Sequence, residues 1–480
     1  MSQTTCIRDV DWLVGWDGRQ HVYLRNSDLV FKGPDIIFVG DRYVERVDIE
    51  LSGKDRMIIP GLVDIHAHPT TEPIRKGITD ETLSPGFWHS SLYEHLPVFD
   101  PVDDHGRLAC LKVALAELLL SGVTTLVDLS SPFEGWTETL LDSGIRSFVA
   151  PSFRDARWFT TNGHSLEYDW DYEAGQKAFK TAQKIVEGVE NHPSGRLSAV
   201  VSPSQVDTCS EVLLRDSHAL ARDRGLCWTI HAAQSVTEFH EMQHRHGMTS
   251  IQWLDSIDVL DERSVIAHGI FLDHHPWLHW TSQQDLKLLS DRGVTIAHCP
   301  TVFSRRGIAL NTFGAYLDNG VRMSIGTDTY PHNMLDECRT AVMVARIIGQ
   351  SVTDLDCADV FNAATVAGAH ALNRNDIGRI AVGCKADFST IDLTSPCMRP
   401  VREPLRSLIT VAGSRPVKDV FIHGEQVVSS GTVLNIDFEL ELTRLQIAQQ
   451  NMLNAVPERD WNNRSAEELA PLMLKTVESI

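Results

Sequence analysis

The stretch Ile59-Pro60-Gly61-Leu62-Val63-Asp64-Ile65-His66-Ala67-His68 decides the fold, because an apolar run there ends in two histidines one residue apart. Side chains two apart on a β-strand point to the same face, so His66 and His68 can both reach one metal ion. A His-x-His pair also arises by chance in a chain holding 21 histidines, and on its own it leaves coincidence and metal binding on equal terms. The rest of the chain separates the two.

Three more histidines and one aspartate each close a later apolar run: Cys227 to His231, Ser264 to His268, Val294 to His298 and Arg322 to Asp328. From Gly61 to about Leu372 such runs alternate with helical patterns, among them Leu108 to Leu120, Tyr172 to Val189 and Glu211 to Arg224. That alternation predicts parallel β/α units. In a (β/α)8 TIM barrel the strand C-termini converge on one face, where the chemistry is found, so polar groups at five strand ends are expected to share one site.

Composition bounds the rest. At 480 residues, 42% apolar and 22% charged, the chain is globular and large enough for a barrel core plus a smaller domain. A net charge of -21 repels phosphate backbones and anionic membranes, which leaves a small molecule as the expected partner, with no nucleic acid and no membrane. No apolar segment follows a basic start at the N-terminus and no apolar run approaches membrane-spanning length, so a cytoplasmic protein is expected. Nine cysteines without a Cys-x-x-Cys pair argue against both a disulfide framework and a structural zinc knuckle, and Cys299 beside His298 reads as a packed, reduced thiol.

Short apolar runs broken by turn residues before residue 58 (Trp12 to Val14, His21 to Leu24, Ile36 to Val39) predict small antiparallel strands. The strand pattern returns at Ser389 to Leu393 and Val417 to His423. The α/β chain is therefore expected to divide into a composite β-sandwich domain from residues 1–58 and 373–436, a barrel from 59–372, and a helical extension from 437–480. Within the extension, Glu439 to Met452 and Ser465 to Val477 read as helices, serving as a barrel brace or as a contact in a homo-oligomer of two or more chains.

In these residues the chain resembles the amidohydrolase superfamily, in its cytosine-deaminase-like and triazine-hydrolase-like branch. Pro60 to His68 looks like the first barrel strand of that branch and Ser121 to Asp128 like its second. His231, His268, His298-Cys299-Pro300 and Gly326-Thr327-Asp328 follow in the family's order, and Gly378 to Asp387 resembles its return to the sandwich. The resemblance implies a metal-dependent hydrolase in which His66, His68, His231 and Asp328 ligate one divalent ion. Zinc suits three imidazoles and a carboxylate best, with Fe2+, Co2+ or Mn2+ as alternatives. The fourth-strand candidate Ala199 to Gln205 offers no lysine to bridge two ions, which favours one. A bound cation would activate water as the nucleophile, with His268 steadying that water or the developing oxyanion, Asp328 taking its proton and His298 orienting the substrate or leaving group.

One departure bears on the reaction. Deaminases of this branch carry a glutamate three residues after the fifth-strand histidine, where His231-Ala232-Ala233-Gln234 has glutamine. An amide can hold a substrate but cannot carry a proton at neutral pH. Glu238 is the candidate substitute, although the family also has a structural glutamate near there. After His298-Cys299-Pro300 the usual Ser-Asn pair is replaced in Thr301 to Arg306, which implies a reshaped pocket with an aromatic wall and a cationic group; Trp88, Trp158, Phe159, Trp170 and Phe303 are candidate lining residues. The expected reaction is hydrolysis of a carbon-nitrogen bond in a small amide, urea or carbamate, or displacement of a ring substituent. Deamination of an aminated N-heterocycle is the alternative.

Overall fold

The computed structural model describes residues 3–78, 85–88, 90–413 and 416–477. Eight parallel strands form one sheet in chain order: β1 (Leu62–Ala67), β2 (Val123–Ser130), β3 (Arg146–Phe153), β4 (Leu197–Pro203), β5 (Cys227–Ala232), β6 (Ser264–His268), β7 (Thr295–His298) and β8 (Arg322–Ile325). Their residues are buried almost without interruption, as parallel strands covered by helices on the outside must be.

The sheet closes into a barrel just beyond β8. The Asp328 N–H donates to the His66 carbonyl at 2.8 Å, and the His68 N–H donates to the Asp328 carbonyl at 3.2 Å. Two features allow this approach. Gly326 lies so near β1 that a Cβ there would stand 2.6 Å from the His66 Cβ. Asp64, wholly buried, accepts from the His66 and Thr327 N–H groups, both at 3.1 Å, and from the Thr327 hydroxyl at 2.6 Å. The backbone that completes the barrel thus carries three of the candidate ligands.

The β-rich lobe is built from both ends of the chain. Its seven-stranded sheet runs in the order Thr432–Val433, Glu425–Ser429, Val417–Ile422, Phe388–Asp392, Arg56–Pro60, Trp12–Trp16, His21–Leu24. A four-stranded sheet (Asp35–Gly40, Ser27–Lys32, Thr4–Val10, Ile49–Ser52) packs on it around Phe31, Phe388 and Phe421, whose ring centroids lie 4.8 to 5.7 Å apart. The strand Arg56–Pro60 pairs with Phe388–Asp392 in the lobe, and the chain then turns into β1 at Gly61, where a Cβ would fall 2.0 Å from the Thr124 hydroxyl. At the N-terminal end of β3, buried Arg146 donates to Asp387 from Nε (2.7 Å) and Nη2 (3.1 Å), which fastens barrel to lobe.

The C-terminal helix Phe438–Arg459 lays Leu445, Ala448, Met452 and Val456 against Ala109, Cys110 and Val113 of the helix Asp104–Leu120. It braces the outside of the barrel. The helix expected over Ser465 to Val477 is shorter than its sequence pattern suggests: it spans Ala466–Leu469, closed at its start by a Ser465–Glu468 capping box, and ends before Pro471, which cannot continue a helix. No helix among the described residues is long and apolar enough to cross a membrane.

Candidate metal centre

His66 lies in β1 with His68 one residue past its end, His231 lies in β5, His268 and His298 close β6 and β7, and Asp328 follows β8 by three residues. The parallel register brings these strand ends to one face of the barrel. The His66 and His68 Nε2 atoms each lie 3.4 Å from Asp328 Oδ1, and the His68 and His231 Nε2 atoms lie 3.1 Å from each other. His268 and His298 are buried within the same face, with the His268 ring 5.1 Å from that of His66.

The tautomers follow from the backbone. His68 Nδ1 meets the Leu129 carbonyl at 2.9 Å and His231 Nδ1 meets the Ser204 carbonyl at 2.6 Å. A carbonyl only accepts, so each Nδ1 carries hydrogen, and in the neutral tautomer that leaves a bare Nε2 lone pair turned inward. Two lone pairs facing each other at 3.1 Å repel unless a cation lies between them. Neither ring nitrogen of His66, wholly buried, has a hydrogen-bond partner among the described residues. Inward lone pairs fixed by outer hydrogen bonds are how histidines present themselves to a metal, so the residues fit a divalent ion.

Electrostatics agree. Burial pushes Asp328 upward, but the His66 imidazole, 3.4 Å away, and the nearby His268 and His68 outweigh it and hold the carboxylate well below its usual range. Burial drives the pKa of both His268 and His298 down to about 3, so both rings are neutral near pH 7. Ala233, His268 and Asp328 have positive φ (54°, 79° and 58°), a backbone region costly for side-chain-bearing residues and found where a site is held in a set geometry.

The side chains around this group divide clearly. Gln234 is half-buried, and its side-chain carbonyl is enclosed without a hydrogen-bond partner. The Glu238 carboxylate is committed to structure: it accepts from the N–H groups of Ala233 (2.6 Å) and Gln234 (3.0 Å) and from the Ser250 hydroxyl. It shapes the turn that presents Gln234. Tyr93, from the loop after β1, reaches the Ser235 hydroxyl at 2.5 Å and packs edge-on to Trp158 at 4.9 Å.

Of the five aromatic candidates, Phe303 packs on His268 with ring centroids 4.8 Å apart and Trp158 is half-buried against Tyr93. Trp88 and Phe159 are exposed, and Trp170 stacks beneath the Arg245 guanidinium. Arg305, the expected cationic group, donates to the Tyr330 carbonyl at 2.6 Å. Sequence reasoning missed Asp64, Tyr93 and the hairpin Ala156–Phe159/Glu167–Trp170 that carries Trp158. Asp64 was findable, since it precedes His66 by two residues and so shares its face of the strand.

The chain matches the model of the amidohydrolase family over residues 57–427. It is 27% identical over 430 residues to a 5'-deoxyadenosine deaminase of Methanosphaera stadtmanae, covering 87% of this chain and 95% of that protein. It is also 27% identical to a 5-methylthioadenosine/S-adenosylhomocysteine deaminase of Thermococcus onnurineus, with 86% and 91% covered. Among solved structures, a zinc-bound adenosine deaminase of Xanthomonas campestris superposes with a TM-score of 0.81 at 22% identity, covering 93% of this chain and 98% of that one. A zinc complex of an atrazine chlorohydrolase from Arthrobacter aurescens gives 0.78 at 20% identity, covering 93% and 100%. With the family model spanning most of its length, including every strand of its barrel, this chain belongs to the amidohydrolase family.

Proposed function

We propose that this chain hydrolyses a carbon-nitrogen bond, or displaces a ring substituent, in a small aromatic or heterocyclic molecule, using one divalent ion, zinc first, held by His66, His68, His231 and Asp328. The observation that carries this is the pair of inward lone pairs on His68 and His231 at 3.1 Å, beside the carboxylate of Asp328. A bound ion would supply Lewis acidity and make a coordinated water acidic near neutral pH. Asp328, ionised, takes a proton from the attacking water at Oδ. His268, neutral, accepts or donates a hydrogen bond at its inward nitrogen as charge develops on the substrate. His298 and the Gln234 amide orient the substrate, with Phe303 walling it from water. We place the enzyme in the cytoplasm as a homo-oligomer, which size-exclusion chromatography and cell fractionation would check.

Nothing in this set protonates a ring nitrogen: Gln234 cannot, and Glu238 is occupied. Amides, ureas, carbamates and rings bearing a good leaving group need less of that help. The second possibility is deamination of an aminated purine nucleoside, and the deaminase names of the curated relatives favour it. A mass-spectrometric screen of the purified enzyme against both classes decides. Cleavage of aryl amides, ureas or carbamates, with Gln234→Glu gaining ammonia release from heterocycles, supports the proposal. Ammonia release from adenosine derivatives alone, in the wild type, selects the second and obliges another group to carry the proton.

A further inference from the structure

Behind the ligand set described above lies a second group of donors that shares two of its members. One ligand atom from each of His66, His268, Cys299 and Asp328 lies within 4.8 Å of the other three, and all four residues are buried. Among the described residues, both ring nitrogens of His66 and of His268 lack partners, and the Cys299 sulfur approaches the Ala297 carbonyl at 3.8 Å. Tetrahedral zinc, with bonds of about 2.0–2.3 Å, separates its donors by roughly 3.3–3.8 Å, so small side-chain rotations would gather this set around an ion.

We propose that these four residues form an inner metal seat with a sulfur donor, specific for thiophilic divalent ions such as Cd2+ or excess Zn2+. This rests on the metal-centre reading above. The outer seat offers only nitrogen and oxygen, whereas the inner one exchanges two imidazoles, His68 and His231, for a third-row donor and His268, and softer ions prefer sulfur. On binding, the Cys299 S–H proton passes to solvent and a metal–sulfur bond forms. His66 and Asp328 cannot serve both seats at once, so an ion occupies one or the other. An ion in the inner seat takes His268 out of proton handling, which makes it the inactive seat.

The test uses the full chain stripped of metal and reloaded with Cd2+ or with Mn2+. The Cd2+ protein should show ultraviolet sulfur-to-metal charge-transfer absorption that Cys299→Ser removes while still retaining an ion in the outer seat. Cys227→Ser, which changes another buried thiol at the opposite end of its strand, should leave the band intact. The preference for Cd2+ over Mn2+ should fall in Cys299→Ser by at least the roughly tenfold that loss of even an outer partner of a metal ligand costs. Stoichiometric Cd2+ without a Cys299-dependent band would overturn the inner seat and leave the outer one standing. Failure to bind any ion would overturn both.

Discussion

Two buried polar clusters sit at opposite ends of the barrel and are built on opposite rules. At the N-terminal end of β3, Arg146 and Asp387 are matched: the guanidinium also donates to the Gly195 carbonyl at 2.6 Å, and Asp387 accepts from the His423 N–H at 2.7 Å. At the C-terminal end, His66, His268 and one nitrogen of His298 are buried without partners, and His68 and His231 turn lone pairs at each other. Burying a polar group unpaired destabilises the fold, so evolution completes such networks where the task is structural. On the metal-centre reading proposed above, the ion completes the unfinished end.

That contrast can be broken or sharpened by substitution. The largest effect is expected at the unfinished end: His231→Ala should lower activity by at least about 100-fold and abolish tight metal retention, read by steady-state kinetics and metal content, with little loss of metal-free stability. At the finished end, Arg146→Met leaves Asp387 buried without its cation, and should cost about 3–5 kcal/mol in denaturant unfolding. Comparable destabilisation by both substitutions in the metal-free protein would erase the distinction.

Packing away from both clusters should respond by the ordinary cavity rule. Met452, wholly buried between the C-terminal helix and the barrel, should cost about 2–5 kcal/mol as Met452→Ala without altering metal content, measured by thermal unfolding and elemental analysis.

The smallest effect concerns pH. Burial and the neighbouring Arg379 lower His21 from 6.5 to about 4 in the fold. Between these values the unfolded chain binds a proton that the folded chain refuses, so the contribution of His21 to stability is full above pH 6.5 and falls as the pH drops toward 4. His21→Asn should therefore gain stability relative to the wild type between pH 7 and pH 4. An unchanged difference across that range would show that the ring does not titrate as its burial implies.

Much of this was legible in sequence for a simple reason: a barrel strand advertises itself as an apolar run, and its chemistry sits at the end of the run. The helices over Tyr172–Val189 and Glu211–Arg224 and the strand-end histidines follow from periodicity alone. What periodicity does not carry is pairing across the chain. The lobe strands Thr4–Val10 and Ser27–Lys32 escaped because their residues mix polar and apolar without a clean alternation. The role of Glu238 depended on which backbone N–H groups its carboxylate would meet, a matter of turn geometry at Ala233. The end of the tail helix turned on one residue, Pro471, that outweighed a plausible amphipathic pattern.

The most direct test of the central claim is the divalent metal content of the purified chain beside that of His66→Ala and Asp328→Ala. The account predicts a transition metal retained by the wild type, lost from both variants along with activity, and activity restored to the stripped wild type on readdition. A stripped wild type that stays free of metal and fully active would contradict it.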